Sequence, residues 1–228
     1  MINKDKVCVL ITALNEERMI EEVLSGLIKR GYKNIILVDD GSTDTTYNRA
    51  KKFPITILRH IINRGKGASL QTGTEYILKK GFEVIVHFDA DGQHNPDDIE
   101  KLIRPIFEED IDVVFGSRFL GEVYGMPLLR RLVLKGGIFF TNLLYGIKLT
   151  DVHNGMRAFK TAVFKKIVFT EDRFAYASEL LEKIVKEGFR FNEVPVTIKY
   201  TDYSLAKGQK NTNALNIFFR MIRRRFFA

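Results

Sequence analysis

The 228-residue sequence holds a single cysteine, Cys8. One thiol can neither close an intrachain disulfide nor build a cysteine-cluster metal site, so a cytosolic chain with a small buried thiol and no redox chemistry is expected. Histidine is sparse as well. His60, His87, His94 and His153 show no metal-ligand spacing, and each is read as structural or as a local hydrogen-bonding group. The segment from Met1 to Lys6 carries charges where a signal peptide needs an apolar run, so export is not expected. Long apolar runs are missing too. The most apolar stretch, Pro127 to Ile147, is interrupted by Arg130, Arg131 and Lys135. Its uncharged remainder, Gly136 to Ile147, is well short of the roughly 20 residues that cross hydrocarbon. Acidic residues are absent from Tyr203 to Ala228, where Lys207, Lys210, Arg220, Arg223, Arg224 and Arg225 supply six of the net +8 charges. Internal repeats, low-complexity segments and linkers are absent.

What is present is the composition of a folded domain: 45% hydrophobic residues, 28% charged, and 18 Phe spread along the chain. A single domain over 1–210 is expected, followed by a basic amphipathic helix over 211–228, where Leu215, Phe218, Phe219, Ile222 and Phe226 recur at helical spacing. Apolar runs at Val7–Thr12, Asn34–Val38, Ile55–Arg59, Val84–Phe88 and Asp112–Phe115 read as strands. Helical patterns at Glu16–Lys29, Thr45–Lys52, Ala68–Lys79 and Pro96–Glu108 alternate with them, and Asn95 precedes the last as a cap. This alternation predicts an α/β, Rossmann-like fold, a mainly parallel central sheet flanked by helices, with ligands beyond the carboxyl ends of the strands. From Pro127 to Ile147 a helix is expected with Leu129, Leu132, Val133, Phe140, Leu143, Leu144 and Ile147 on one face. For this helix and the tail, two readings stand: a core-facing helix with a solvated basic face, or a helix lying on a membrane surface.

The strongest chemical signal is Val84-Ile85-Val86-His87-Phe88-Asp89-Ala90-Asp91-Gly92-Gln93-His94. An apolar strand running into Asp89-x-Asp91 puts both carboxylates on one side of extended backbone, a pair of hard oxygen ligands for Mg²⁺ or Mn²⁺ that leaves positions for diphosphate oxygens. Gln93 adds a neutral ligand if the chain stays extended. One strand earlier, Val38-Asp39-Asp40-Gly41-Ser42-Thr43-Asp44 repeats the layout, with Ser42 or Thr43 placed to cap the next helix and one acid left for a base or ribose. Asn63-Arg64-Gly65-Lys66-Gly67-Ala68-Ser69 joins loosened backbone, a helix start and two cations, a phosphate-friendly segment that is neither a P-loop nor a dinucleotide fingerprint.

Together with Thr12-Ala13-Leu14-Asn15-Glu16-Glu17 and Gly116-Ser117-Arg118, these motifs resemble the family 2 glycosyltransferases, most closely the dolichyl-phosphate mannosyltransferase branch. The resemblance runs from about Val7 to Phe159 in order. It implies a GT-A fold in which Ala13, Leu14, Asn15, Glu16 and Asp40 hold the nucleoside, with Lys66 and Ala90 nearby. Asp89, Asp91 and Gln93 would hold the metal and diphosphate. Asp91, Arg118 and Arg131 are the implied catalytic positions, the two arginines facing acceptor or donor phosphate. The segment Asp151 to Phe159 resembles the part of the branch that closes the sugar site, with a structural ion pair as the other reading of Arg157. Trp is absent, so the Gln-x-x-Arg-Trp motif of the processive synthases is missing and processive polymerisation is disfavoured. The branch's final Ser-Lys pair is replaced by Tyr200-Thr201-Asp202-Tyr203-Ser204-Leu205-Ala206-Lys207-Gly208-Gln209-Lys210, with Lys207 or Lys210 as substitutes.

The resulting expectation is a metal-dependent, inverting glycosyltransferase that moves a sugar from a nucleoside diphosphate to a polyprenyl phosphate at the cytoplasmic face of a membrane. An anionic acceptor needs positioning more than deprotonation. A hydroxyl acceptor would need a general base, with Glu179 and Asp151 the candidates by position. A nucleotidyltransferase should show a Gly-rich, Arg-containing first loop, which the Ala13–Glu17 segment is not. A nucleic-acid module would leave Asp89 and Asp91 unexplained. A non-catalytic scaffold with a donor site is separated from the enzyme by turnover alone.

Overall fold

The computed structural model describes residues 2–171 and 176–207. The expected basic helix over 211–228 and Lys210 lie outside the described residues. Strands β1 (Val7–Ala13), β2 (Ile35–Asp39), β3 (Thr56–Arg59) and β4 (Val84–Asp89) form the first half of a seven-stranded sheet. They alternate with helices α1 (Ile20–Lys29), α2 (Thr46–Ala50) and α3 (Lys66–Leu78). Then come α4 (Ile99–Glu108), β5 (Val113–Ser117), β6 (Val123–Tyr124), α5 (Leu128–Tyr145), β7 (Arg157–Lys160), α6 (Tyr176–Lys186), β8 (Phe191–Pro195), β9 (Ile198–Lys199) and α7 (Asp202–Lys207).

The sheet order is β3-β2-β1-β4-β7-β5-β8. Strands β1 to β4 are mutually parallel, with Ala13 opposite Asp39 and Thr12 opposite Asp89, so the acids of two motifs arrive at one rim. β7 enters antiparallel between β4 and β5, pairing Arg157 with both His87 and Phe115. β6 and β9 form a separate parallel pair.

Alternation along β1 distributes its side chains between two cores, as period-2 geometry requires. Val7, Val9 and Ile11 pack with Leu24, Phe88 and Leu102, while Cys8 and Leu10 pack with Leu70, Phe115 and Leu180. The amphipathic helices α1 and α4 cover the first face, burying Ile20, Val23, Leu24 and Leu27, and Ile99, Leu102, Ile103 and Ile106. The expected thiol is there, with Cys8 fully buried and its ionisation pushed up to about 12 by that burial.

Several local expectations are corrected. Glu16 to Met19 form a hydrogen-bonded turn rather than the first turn of α1, because the Glu16 carbonyl is the first acceptor, for the Met19 and Ile20 amides. Asn95 does cap the segment after it, accepting the Asp97 amide at 3.1 Å, yet Pro96–Asp98 winds as a 3₁₀ turn before α4. α2 is capped by neither Ser42 nor Thr43. Asp44 Oδ1 accepts the Thr46 amide at 2.9 Å and its hydroxyl at 2.5 Å. The helix expected over Pro127 to Ile147 forms as α5, but the apolar face assigned to it is not buried. Only Ile138 and Thr141 are buried, while Leu129, Leu132 and Leu143 are 64%, 67% and 72% exposed.

Candidate active site

The carboxyl rim of β1, β2 and β4 carries a connected polar surface. Asn15 sits in the left-handed region (φ 55°), which Asn tolerates, and this turns its amide onto Ser42 Oγ at 2.9 Å. Its Oδ1 accepts the Thr43 amide at 2.8 Å, so the Ala13–Glu17 loop and the 41–45 loop are laced together. Lys207 of α7 closes over this lacing: Nζ donates to the Leu14 carbonyl at 2.9 Å and the Asn15 carbonyl, and pairs with Glu16 Oε1 at 2.8 Å. Tyr203 Oη donates to Glu16 Oε2 at 2.8 Å. Burial pushes the Glu16 carboxyl up, against the pull of these two partners.

Asp89 ends β4, and the extended backbone ends with it. Ala90 to Gly92 turn, and Asp91 Oδ1 accepts the Gln93 amide at 3.0 Å. The expectation of one extended run through Asp91 and Gln93 is therefore corrected: the turn formers Asp and Gly prevail, and Gln93 lies beyond the turn. Lys66, the first residue of α3, pairs with Asp89 Oδ1 at 2.5 Å, and His94 Nε2 lies 3.4 Å from Oδ2. Burial alone would raise Asp89, but the Lys66 charge and His94 override it and hold the carboxyl far below its usual range. Asp91 is raised instead, by burial and then by the neighbouring Asp89 charge. Gly155 lies against this cluster, since a Cβ there would fall 2.3 Å from Asp89 Oδ2.

No three His, Cys, Asp or Glu side chains converge as a metal cage among the described residues. What the protein offers is a pair of close carboxylates, one of them, Asp91, without a cation in ion-pair reach among the described residues. That donor set fits Mg²⁺ or Mn²⁺, hard cations held by one or two carboxylates and completed by phosphate oxygens and water.

Other candidates are placed differently from their expected roles. Asp39 and Asp40 are both turned inward. Asp39 Oδ1 accepts the Ser42 amide and its Oδ2 meets Arg59 Nε at 3.0 Å. Asp40 Oδ1 takes His60 Nδ1 and the Arg64 amide, and Oδ2 takes the Gly65 amide, leaving a single lone pair for a nucleoside. Arg118 is buried with Nε on Asp151 Oδ2 and Nη1 on Tyr200 Oη, both at 2.5 Å. Arg131 is exposed, whereas its neighbour Arg130 lies over the Tyr200 ring, 5.3 Å from its centroid. Arg157 is buried on the Asn154 and Val152 carbonyls without a carboxylate partner among the described residues, so it orders the loop that carries Gly155 and is not an ion pair. His87 is driven down to about 3 by burial and by the charges of Arg157 and Lys66, a neutral core imidazole among Phe159 and Phe164. Neither base candidate is free: Glu179 accepts the Thr170 amide and hydroxyl, the Glu171 amide and Lys183 Nζ, and Asp151 is buried with Oδ2 on the Arg118 amide and Nε, and Oδ1 on the His153 amide.

Three contributors lie within the motif segments, but their places were not read from them: Tyr203 in the final loop, His94 at the end of the 89–94 motif, expected as structural or a local hydrogen-bonding group, and Gly155, whose role is its missing side chain. For Gly155 the signal was present, a glycine two residues before the Arg that resembles the sugar-closing segment.

Comparison with known proteins bears on the family and the fold. The chain is 36% identical over 239 residues to UDP-N-acetylglucosamine–dolichyl-phosphate N-acetylglucosaminyltransferase of Methanococcus voltae, covering 95% of this chain and 94% of that protein. It is 27% identical over 185 residues to polyprenol monophosphomannose synthase of Mycolicibacterium smegmatis, covering 76% and 69%. Among solved structures, glucosyl-3-phosphoglycerate synthase of Mycobacterium tuberculosis, in complex with Mn²⁺, UDP and glucosyl-3-phosphoglycerate, superposes with a TM-score of 0.74 at 18% identity over 96% of this chain and 79% of that one. The expected GT-A fold is thereby shown. Residues 8–168 match the model of glycosyl transferase family 2, and the chain belongs to that family of glycosyltransferases.

Proposed function

We propose that this enzyme transfers a sugar, with inversion, from a nucleoside diphosphate sugar to a polyprenyl phosphate, using Mg²⁺ or Mn²⁺. The observation that carries the reading is the half-buried Asp89–Asp91–Lys66 cluster at the carboxyl rim of the parallel strands. A divalent ion held there would neutralise charge growing on the departing diphosphate, the main electrostatic demand of the reaction. Lys66 supplies a fixed positive charge beside the same oxygens, and Asn15, Glu16 and Asp40 line the nucleoside side. The Gly155 backbone, pinned by Arg157, closes the sugar side.

The acceptor assignment rests on the bases. Glu179 is saturated by donors, and Asp151 is buried in an ion pair with Arg118, which suits a nucleophile that is already ionised and needs only to be positioned. The relatives named above act, by their names, on dolichyl phosphate and polyprenol. On this reading α5 meets the bilayer. It exposes Leu128, Leu129, Leu132, Phe139 and Leu143 beside Arg130, Arg131 and Lys135, and no described helix is long and apolar enough to cross a membrane.

The test is transfer from a panel of nucleoside diphosphate sugars to a short-chain polyprenyl phosphate, with Mn²⁺, Mg²⁺ or chelator. One donor is expected to support metal-dependent transfer, and Asp91→Ala to lower it by at least about 10³-fold while Tm holds. Transfer that survives chelation, or that proceeds only to a hydroxyl, would overturn the reading.

A further inference from the structure

The loop after β3 carries two isoleucines in an unusual position. Ile61 is 99% exposed and Ile62 69%, yet the loop is one of the most firmly held on the rim. The His60 amide donates to the Asp39 carbonyl at 2.9 Å, and the His60 ring bridges Asp40 Oδ1 at 2.7 Å and Thr72 Oγ1 at 2.9 Å. On the other side of the pair, the Arg64 and Gly65 amides donate to Asp40. Beneath it, Gly41 (φ 77°) admits the loop backbone: a Cβ there would lie 2.7 Å from the Ile62 carbonyl carbon. The tip is thus presented on a fixed support, with its apolar side chains held in water.

The flanking sequence carries charge of one sign, and although Arg49 and Lys52 pair with Glu21, Arg59 with Asp39 and Lys66 with Asp89, Lys51 and Arg64 have no carboxylate ion-pair partner among the described residues. No Asp or Glu occurs between Asp44 and Glu75, a span that contains Arg49, Lys51, Lys52, Arg59, Arg64 and Lys66. Arg64, two residues beyond the pair, is exposed, and its guanidinium pairs with no carboxylate among the described residues. Because β3 is parallel to β2, with Arg59 opposite Asp39, the loop leaves on the same carboxyl rim as Asp89. Apolar side chains on a basic, pre-ordered support at the mouth of the site match an anionic interface, where the side chains enter the headgroup boundary and the cations meet lipid phosphate.

We propose that Ile61 and Ile62 form a membrane-inserting tip, a second contact with an anionic lipid bilayer, separate from α5, that aims the donor side of the rim at the surface holding the acceptor. This rests on the polyprenyl-phosphate reading, and the test separates the two. The chain has no Trp, so Ile62→Trp creates a lone reporter at the tip and Lys79→Trp one beyond the far end of α3.

With vesicles containing anionic phospholipid, the Ile62→Trp emission is expected to shift to the blue and be quenched by bromine-labelled acyl chains, while Lys79→Trp stays unchanged. Inorganic phosphate alone should shift neither. The double variant Ile61→Ser/Ile62→Ser should lose about tenfold in vesicle partitioning, yet keep its Tm and its turnover of a short-chain acceptor in solution. An unshifted tip reporter, a double variant that floats as the wild type does, or a concentration-dependent dimer abolished by the double variant would each overturn the proposal. If wild type fails to turn over the soluble acceptor while the tip still inserts, the polyprenyl-phosphate reading fails and the lipid contact stands.

Discussion

The two halves of the sheet solve opposite problems. In β1 to β4 and their loops, polar side chains are satisfied within the same rim, by loop amides as well as by one another: Ser42 by the Asn15 amide, Asn15 by the Thr43 amide, Asp40 by His60 and the Arg64 and Gly65 amides, Asp89 by Lys66. The half built from β5 to β8 buries polar groups away from that rim, among them Arg118, Asp151, Arg157 and Glu179, and its longest helix leaves apolar side chains in water. Asp151 is the main anchor. It binds Arg118, which reaches Tyr200, while Glu193 of β8 accepts the Thr150 and Asp151 amides at 2.7 and 2.9 Å. The same segment continues into Gly155 against Asp89, so this half, the acceptor half of the proposed reaction, meets the Asp89 cluster through that loop. A pre-ordered floor and a second half whose α5 is exposed suit the proposed transfer from a soluble donor to an acceptor that arrives from a surface.

Asp151→Ala tests that asymmetry with the largest effect. It leaves the Arg118 guanidinium buried with only Tyr200 as a partner, and removing one member of a buried pair costs about 3–5 kcal/mol. Hydrogen exchange should show residues 150–157 and α5 losing protection while β1, β2 and β4 keep theirs. Uniform loss across the sheet would show that the halves form a single cooperative unit and that the contrast is only one of surface.

Lys207→Ala probes the reverse, a contact by which the last described helix serves the donor half. Charged hydrogen bonds are each worth about 1.5–3 kcal/mol when buried, and Lys207 is partly exposed, so a loss of about tenfold in kcat/KM is expected. The loss should fall on donor KM, because Lys207 touches the carbonyls of Leu14 and Asn15 and not the diphosphate cluster. An effect confined to kcat would move Lys207 into the chemistry.

The same contrast governs what could be read from the sequence. Strands β1, β2 and β4 were located to within a residue, because buried parallel strands are written as unbroken apolar runs. β7 was missed. Arg157-Ala158-Phe159-Lys160 has a charge at each end, and its place is fixed by strands some 40 to 70 residues upstream with which it pairs antiparallel. Local pattern reports neither fact. The acid pair at 89 and 91 was legible as chemistry, but its geometry was not, since a glycine-assisted turn replaces the extended backbone. Lys207 was named as a substitute for a family lysine. That it reaches Glu16, across the length of the chain, follows from the β6–β9 pair and α7, elements too short to leave a periodic signal.

The smallest predicted effect separates the halves by acid. His153 lies under α5, where a Cβ on Gly137 would come within 2.7 Å of its Nε2. Burial lowers its ionisation to about 4, and the Arg118 and Arg157 charges add to burial against the opposing pull of Asp151. Between about pH 4 and 6.5 the unfolded chain takes up a proton that the folded chain refuses, so stability rises with pH through this window and falls as acid is added. His153→Phe keeps a ring beneath Gly137 and removes the proton, so its Tm should decline less than that of wild type on acidification from pH 6.5. The flattening should appear in probes of α5 and the 150–157 loop. Should the two proteins lose stability in parallel, the imidazole is solvated in the folded state and the acceptor half is looser around His153 than its packing under Gly137 implies.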